Sequence, residues 1–67
     1  MSDNQLSQRE LEIVKLICNG HSNAQIAKLL GISTSTVRTH HKNILKKADV
    51  KKAILLVRIA LRNGWIV

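Results

Sequence analysis

The stretch STSTVRTHHKNILKKADV, residues 33 to 50, places four hydroxyl side chains ahead of an arginine, two adjacent histidines and a run of lysines. Hydroxyls beside cations suit phosphate chemistry, whereas histidines suggest a metal or proton transfer. The metal reading fails on spacing. On a helix His40 and His41 point ~100° apart and cannot share an ion. Cys18 and His21 offer two ligands, but Gly20 breaks the helix between them and no third or fourth ligand follows. No metal and no cofactor is expected. Catalysis fares no better, because the acids are scattered and no glycine-rich phosphate loop exists, so an enzyme is not expected. Cys18 among Val14, Leu16 and Ile17 reads as a small apolar side chain of the core.

The phosphate reading survives, and the whole chain supports it. In 67 residues there are 11 Lys and Arg against 4 Asp and Glu, a net charge of +7. A charge that large on one small domain calls for a polyanion, nucleic acid before an acidic membrane surface. With Trp65 as the only aromatic, a base-stacking platform for single strands lacks its parts. A lone cysteine excludes an internal disulfide framework. The polar start MSDNQ does not have the form of a leader, and no apolar run has bilayer length. These signs predict one soluble, cytoplasmic domain spanning residues 1–67.

Four helices must hold the chemistry in place. Ser7 followed by Glu10 has the form of a capping box, opening a helix from about Ser7 to Asn19 that Gly20 stops. Ser22 or Asn23 caps a second helix over AQIAKLL, with Ile26, Leu29 and Leu30 facing inward and Gly31 closing it. Ser33 or Thr34 caps a third that reaches about Ala48, and a fourth covers about Lys51 to Asn63. The fold class is therefore all-α. Ala27, Gly31 and Val37 match the needs of a helix-turn-helix over about residues 23–42: a small residue at the close approach, a glycine in the turn, a branched residue locking the second helix onto the first.

On a wheel with Val37 at zero, Ile44, Ala48 and His41 lie within ~40° of it and form the inward stripe. Arg38, Lys42, Ser35, Lys46 and Thr39 fall between ~100° and ~200°, with no acid among them. A helix seated in the major groove of double-stranded DNA needs such a face, with long donors for base edges and short groups for close approach. Base reading is expected from Arg38, Thr39 and Lys42, in the amino-terminal half. Phosphate contacts are expected from Asn23, Ser33, Thr34, Ser35, Thr36, His40 and Lys46. The competing explanation is a plain solvated face, though such faces usually mix both signs of charge.

In the last helix Ala53, Leu56, Val57 and Ala60 share one face. Leu55 and Ile59 lie on another with no evident place in the same core. They are expected either at a two-fold homodimer contact, formed in solution or only on DNA, or beneath the first helix. A protein-interaction module docking on another regulator through this helix is the main alternative function. A membrane-surface binder is disfavoured because the helix bearing the cations needs its other face for the core.

Taken together, LSQRE, GHSNAQIA, LGIS, TVRTH and NILKKADV resemble the LuxR-type helix-turn-helix domain of bacterial transcription regulators, over about residues 6 to 66. The resemblance implies four helices, the third for recognition and the fourth for pairing two domains on a two-fold-related site. It places the base-reading positions on Arg38, Thr39 and Lys42, admits RNA polymerase as a further partner, and makes Glu10 structural; read from the residues, Glu10 is the capping-box acid, with a lysine of the third helix such as Lys47 as its expected partner. KADV stands where the family usually has KLGV, and Lys51, Lys52 and Ala53 replace the usual opening of the last helix. The turn at Asp49 and the dimer geometry are where this chain departs. Members typically carry a receiver or ligand-binding domain ahead of the module, so a small whole regulator and a part of a larger one are both compatible with this sequence.

Overall fold

A computed structural model describes residues 6–66; MSDNQ at the start and Val67 lie outside the described residues. Its helices are α1 (Gln8–Cys18), α2 (Asn23–Leu30), α3 (Thr34–Ala48) and α4 (Leu56–Arg62), the last preceded by a 3-10 turn at Ala53–Leu55. There is no strand among the described residues, and no helix is long and apolar enough to cross a membrane.

Each of the first three helices starts where a short hydroxyl side chain can occupy an orphan backbone donor. The Ser7 hydroxyl accepts from the Glu10 N–H at 3.1 Å, and the Ser7 N–H donates to Glu10 Oε1 at 2.8 Å. Ser22 and Gln25 repeat the box, with the reciprocal bonds at 3.2 and 2.8 Å. This resolves the second cap in favour of Ser22; the S-x-x-Q spacing was its sequence signal. At α3 the cap is Ser33, whose hydroxyl accepts from the Thr36 N–H at 3.0 Å. Gly31 closes α2 in the left-handed region at φ 69°, where a glycine carries no penalty.

Asp49 occupies the same region at φ 58° after α3, and the Val50 N–H behind it bonds to the Leu45 carbonyl at 3.1 Å. The turn at KADV is thus the ordinary left-handed helix stop, with aspartate in a position that glycine fills more easily.

The core draws on every helix: Ile13 and Val14 from α1, Ile26 and Ala27 from α2, Val37, Ile44 and Ala48 from α3, Leu56 and Ala60 from α4. Leu6 and Trp65 close its ends. Burying each large aliphatic contributes about 1.5–3 kcal/mol, and Val37 and Ile44, both fully enclosed, hold α3 by its inner face.

Three expectations need correction. Leu29 is 61% exposed. The inner face of α2 is Ile26 and Ala27, with Leu30 packed against the core beside them, and Leu29 lies on the opposite side of the helix. Val57 also lies outside, since the inner face of α4 centres on Leu56 and Ala60 with Ile59 alongside. The fourth α-helix begins at Leu56, later than the expected Lys51. Lys52 is extended at φ −130°, ψ 142° and supplies no side-chain cap, and the first turn tightens into a 3-10 bond from the Leu55 N–H to the Lys52 carbonyl at 3.1 Å.

Candidate nucleic-acid interface

The outer face of α3 is open. Ser35, Arg38, Thr39, Lys42 and Lys46 are all exposed, while Val37, Ile44 and Ala48 are buried beneath them. Arg38 and Lys42, one turn apart, are unobstructed by the rest of the chain, and α3 contains no acidic residue. Asn43, which the sequence reading does not include, is exposed at ~240° on the same wheel, beside Thr39. Its side-chain amide can both donate and accept, the pattern that suits adenine.

The hydroxyls are less free than their number suggests. Ser33 Oγ and Thr36 Oγ1 lie 2.7 Å apart and share a hydrogen bond, so they bond each other before any phosphate. Thr34 is half-buried and Ser35 exposed. Their backbone N–H groups belong to the first helical turn, where no intrahelical acceptor exists. The Thr39 hydroxyl donates back to the Ser35 carbonyl at 3.2 Å. Its proton is thereby used, leaving an oxygen that accepts and a methyl that can meet a thymine methyl.

Two contacts fix α3 from behind. Lys47 Nζ donates to Glu10 Oε1 at 2.8 Å, tying the end of α3 to the start of α1. Burial pushes the Glu10 carboxyl up, but the bonds from Lys47 and Ser7 outweigh it and hold the group below its ordinary value. The other contact is His41, whose Nδ1–H donates to Asn23 Oδ1 at 3.3 Å, joining α3 to the first turn of α2. Burial lowers the His41 pKa, and its Nε2 is enclosed with no partner among the described residues. The neutral ring with its proton on Nδ1 fits this setting. Asn23 accordingly turns one side-chain oxygen inward, and only its amide nitrogen remains for phosphate. His40 is half-buried at the edge of the same surface.

Elsewhere the expected residues separate. Leu55 is 46% exposed, whereas Ile59 is half-buried against the core. Only one of the pair therefore stands fully at the surface. Among the described residues no three His, Cys, Asp or Glu side chains converge as a metal site would require.

A family model described as bacterial regulatory proteins, luxR family, matches residues 4–60. The uncharacterized response regulatory protein YgeK of Escherichia coli K12 is 52% identical over 63 residues, covering 94% of this chain and 43% of its own length. The transcriptional regulatory protein DegU of Brevibacillus brevis is 39% identical over 91% of this chain and 26% of its own. The quorum-sensing regulator RhlR of Pseudomonas aeruginosa is 46% identical over 91% of this chain and 25% of its own. The chain thus spans less than half the length of these curated relatives.

Proposed function

This chain belongs to the luxR family of bacterial regulatory proteins, helix-turn-helix transcription regulators, and on that premise we propose how its own residues divide the work of binding DNA. α3 enters the major groove. Arg38 and Lys42 donate to base edges, Thr39 offers an acceptor and a methyl, and Asn43 joins them at the flank. Lys46, His40, Ser35 and the backbone N–H groups of Thr34 and Ser35 grip phosphates, with the amide of Asn23 and the hydroxyls of Ser33 and Thr36 at the margin. Two copies occupy a two-fold-related site, meeting through Leu55 and the exposed edge of Ile59. The place of action is the bacterial cytoplasm, and RNA polymerase is the further partner this reading admits.

The observation that carries the reading is the acid-free, exposed face of α3 set on a helix pinned by Val37, Ile44 and the Glu10–Lys47 pair. Affinity for duplex DNA should fall with salt at about 0.9 log unit per log unit of salt for each phosphate neutralised. A gel-shift titration across salt with several duplexes tests it. Selection among duplexes that persists as salt rises is expected; equal binding to every duplex at every salt concentration overturns base reading.

A further inference from the structure

His41 sits at ~40° from Val37 on the α3 wheel, on the shoulder of the inward stripe. Its ring makes one bond across the helix pair, from Nδ1 to Asn23 Oδ1 at 3.3 Å. Among the described residues its Nε2 is the only enclosed side-chain nitrogen or oxygen without a partner. Two arrangements of this pair are chemically possible. With the proton on Nδ1, the ring donates to the Asn23 oxygen and the Asn23 –NH2 faces water. With the proton on Nε2, Nδ1 accepts from the amide and the Asn23 oxygen faces water instead. The second arrangement encloses an N–H with no acceptor, at its full desolvation penalty. The first leaves a bare nitrogen there, which needs no room for a hydrogen. The ring thus holds Asn23 in the orientation that offers a donor to an anion. The start of α2 suits the same ligand. Its first turn carries no acid, Ser22 and Gln25 are engaged with each other, and the N–H groups of Asn23 and Ala24 have no intrahelical acceptor.

We infer that His41 is a positioning residue for DNA, acting through Asn23. It turns the Asn23 amide nitrogen toward a backbone phosphate and ties the start of α2 to the helix that reads bases. One phosphate contact on α2 thereby helps to set the register of α3 in the groove. The inference rests on the major-groove reading above, but the two fail separately. Base selection by Arg38 appears in the ranking of sites, whereas this contact appears in the affinity for every site.

The test is a double-mutant cycle on the intact chain, read by affinity for several duplexes. His41→Met fills the space without a donor, so it should keep the melting temperature and weaken every duplex by about three- to tenfold. The salt slope should hold, because no phosphate-paired cation is removed. Asn23→Ala should show the same loss, and the double variant no more than either single one. His41→Asn, whose Nδ2 takes the place of the ring Nδ1, should restore affinity to within about twofold even where it melts earlier. A purely structural histidine would make affinity follow stability in both variants. Long-range ¹H–¹⁵N spectra of the unaltered chain at pH 7 should show Nδ1 protonated and Nε2 bare, a readout that needs no variant to fold. The inference is overturned if the proton resides on Nε2, if His41→Met or Asn23→Ala binds DNA as tightly as the unaltered chain, or if the two losses multiply. A changed ranking of duplexes in either variant also overturns it, since a phosphate contact carries no sequence information.

Discussion

Replacing Lys47 by methionine keeps most of the side chain's bulk and removes its charge. The Glu10 side chain is 7% exposed and that of Lys47 37%, at 2.8 Å from nitrogen to oxygen. Coulomb attraction for a pair ~4 Å apart near a surface is about 4 kcal/mol before screening. Lys47 is more than a third open to water, which reduces that figure, as does the desolvation that the lysine no longer bears. The variant nonetheless leaves an enclosed carboxylate held only by Ser7. The net cost should be about 1–2 kcal/mol at neutral pH, below the 3–5 of a fully enclosed pair. In a domain this small that corresponds to a fall in Tm of about 4–16 °C. The pH dependence identifies the cause. Glu10 has a folded pKa below its ordinary 4.5, so its contribution is complete above that pH and is lost as pH falls through the folded value. In the variant, burial acts unopposed by Lys47 and raises the carboxyl, so the gap between the two proteins should close on acidification. Urea melts at pH 7 and pH 3, with Glu10→Gln/Lys47→Met as a rescue recovering most of the loss, measure all of this. A loss below about 0.5 kcal/mol at pH 7 would refute the pinning argument, as would an equal loss at both pH values.

Other consequences follow from single residues. Asp49→Gly relieves a left-handed aspartate and removes an anion from a helix carboxyl end, so it should raise stability by about 0.5–1 kcal/mol in the same melts. His41 has a folded pKa below its ordinary 6.5, so its contribution is complete above that pH and is lost as pH falls through the folded value. Urea midpoints should drop on acidification from pH 7 to 5, His41→Gln should flatten that dependence, and an NMR titration placing His41 at or above 6.5 would contradict it. Ser22→Ala should cost about 1 kcal/mol through the lost capping box, measured by thermal melting. Lys46→Ala should weaken binding to all duplexes alike and reduce the salt slope by about one unit.

The elements with local rules were the legible ones. Ser7 and Glu10, Gly20, Gly31 and Ser33 each satisfy or end a helix through contacts a few residues away, and 3.6-residue periodicity alone separates Val37 and Ile44 from Arg38 and Lys42. The Glu10–Lys47 pair spans 37 residues, and from the residues alone Lys47 was only one candidate among the lysines of the third helix, since nothing local joins the two positions. What stayed hidden depended on how helices rotate against neighbours. The inner face of α2 at Ile26 and Ala27 left Leu29 outside, and the inner face of α4 left Val57 at the surface. Hydroxyl counting also overstated the phosphate donors, because Thr39 bonds Ser35 and Ser33 bonds Thr36. Those competing local bonds depend on rotamers that residue type alone leaves open.

Selection from a random duplex library, run in parallel with the unaltered chain, Arg38→Ala and Lys46→Ala, addresses the major-groove assignment of α3 directly. The expected result is one two-fold-related motif for the unaltered chain, the same motif at lower yield for Lys46→Ala, and a motif relaxed at one base pair per half-site for Arg38→Ala. An unchanged ranking of sites after removal of Arg38 would contradict the assignment.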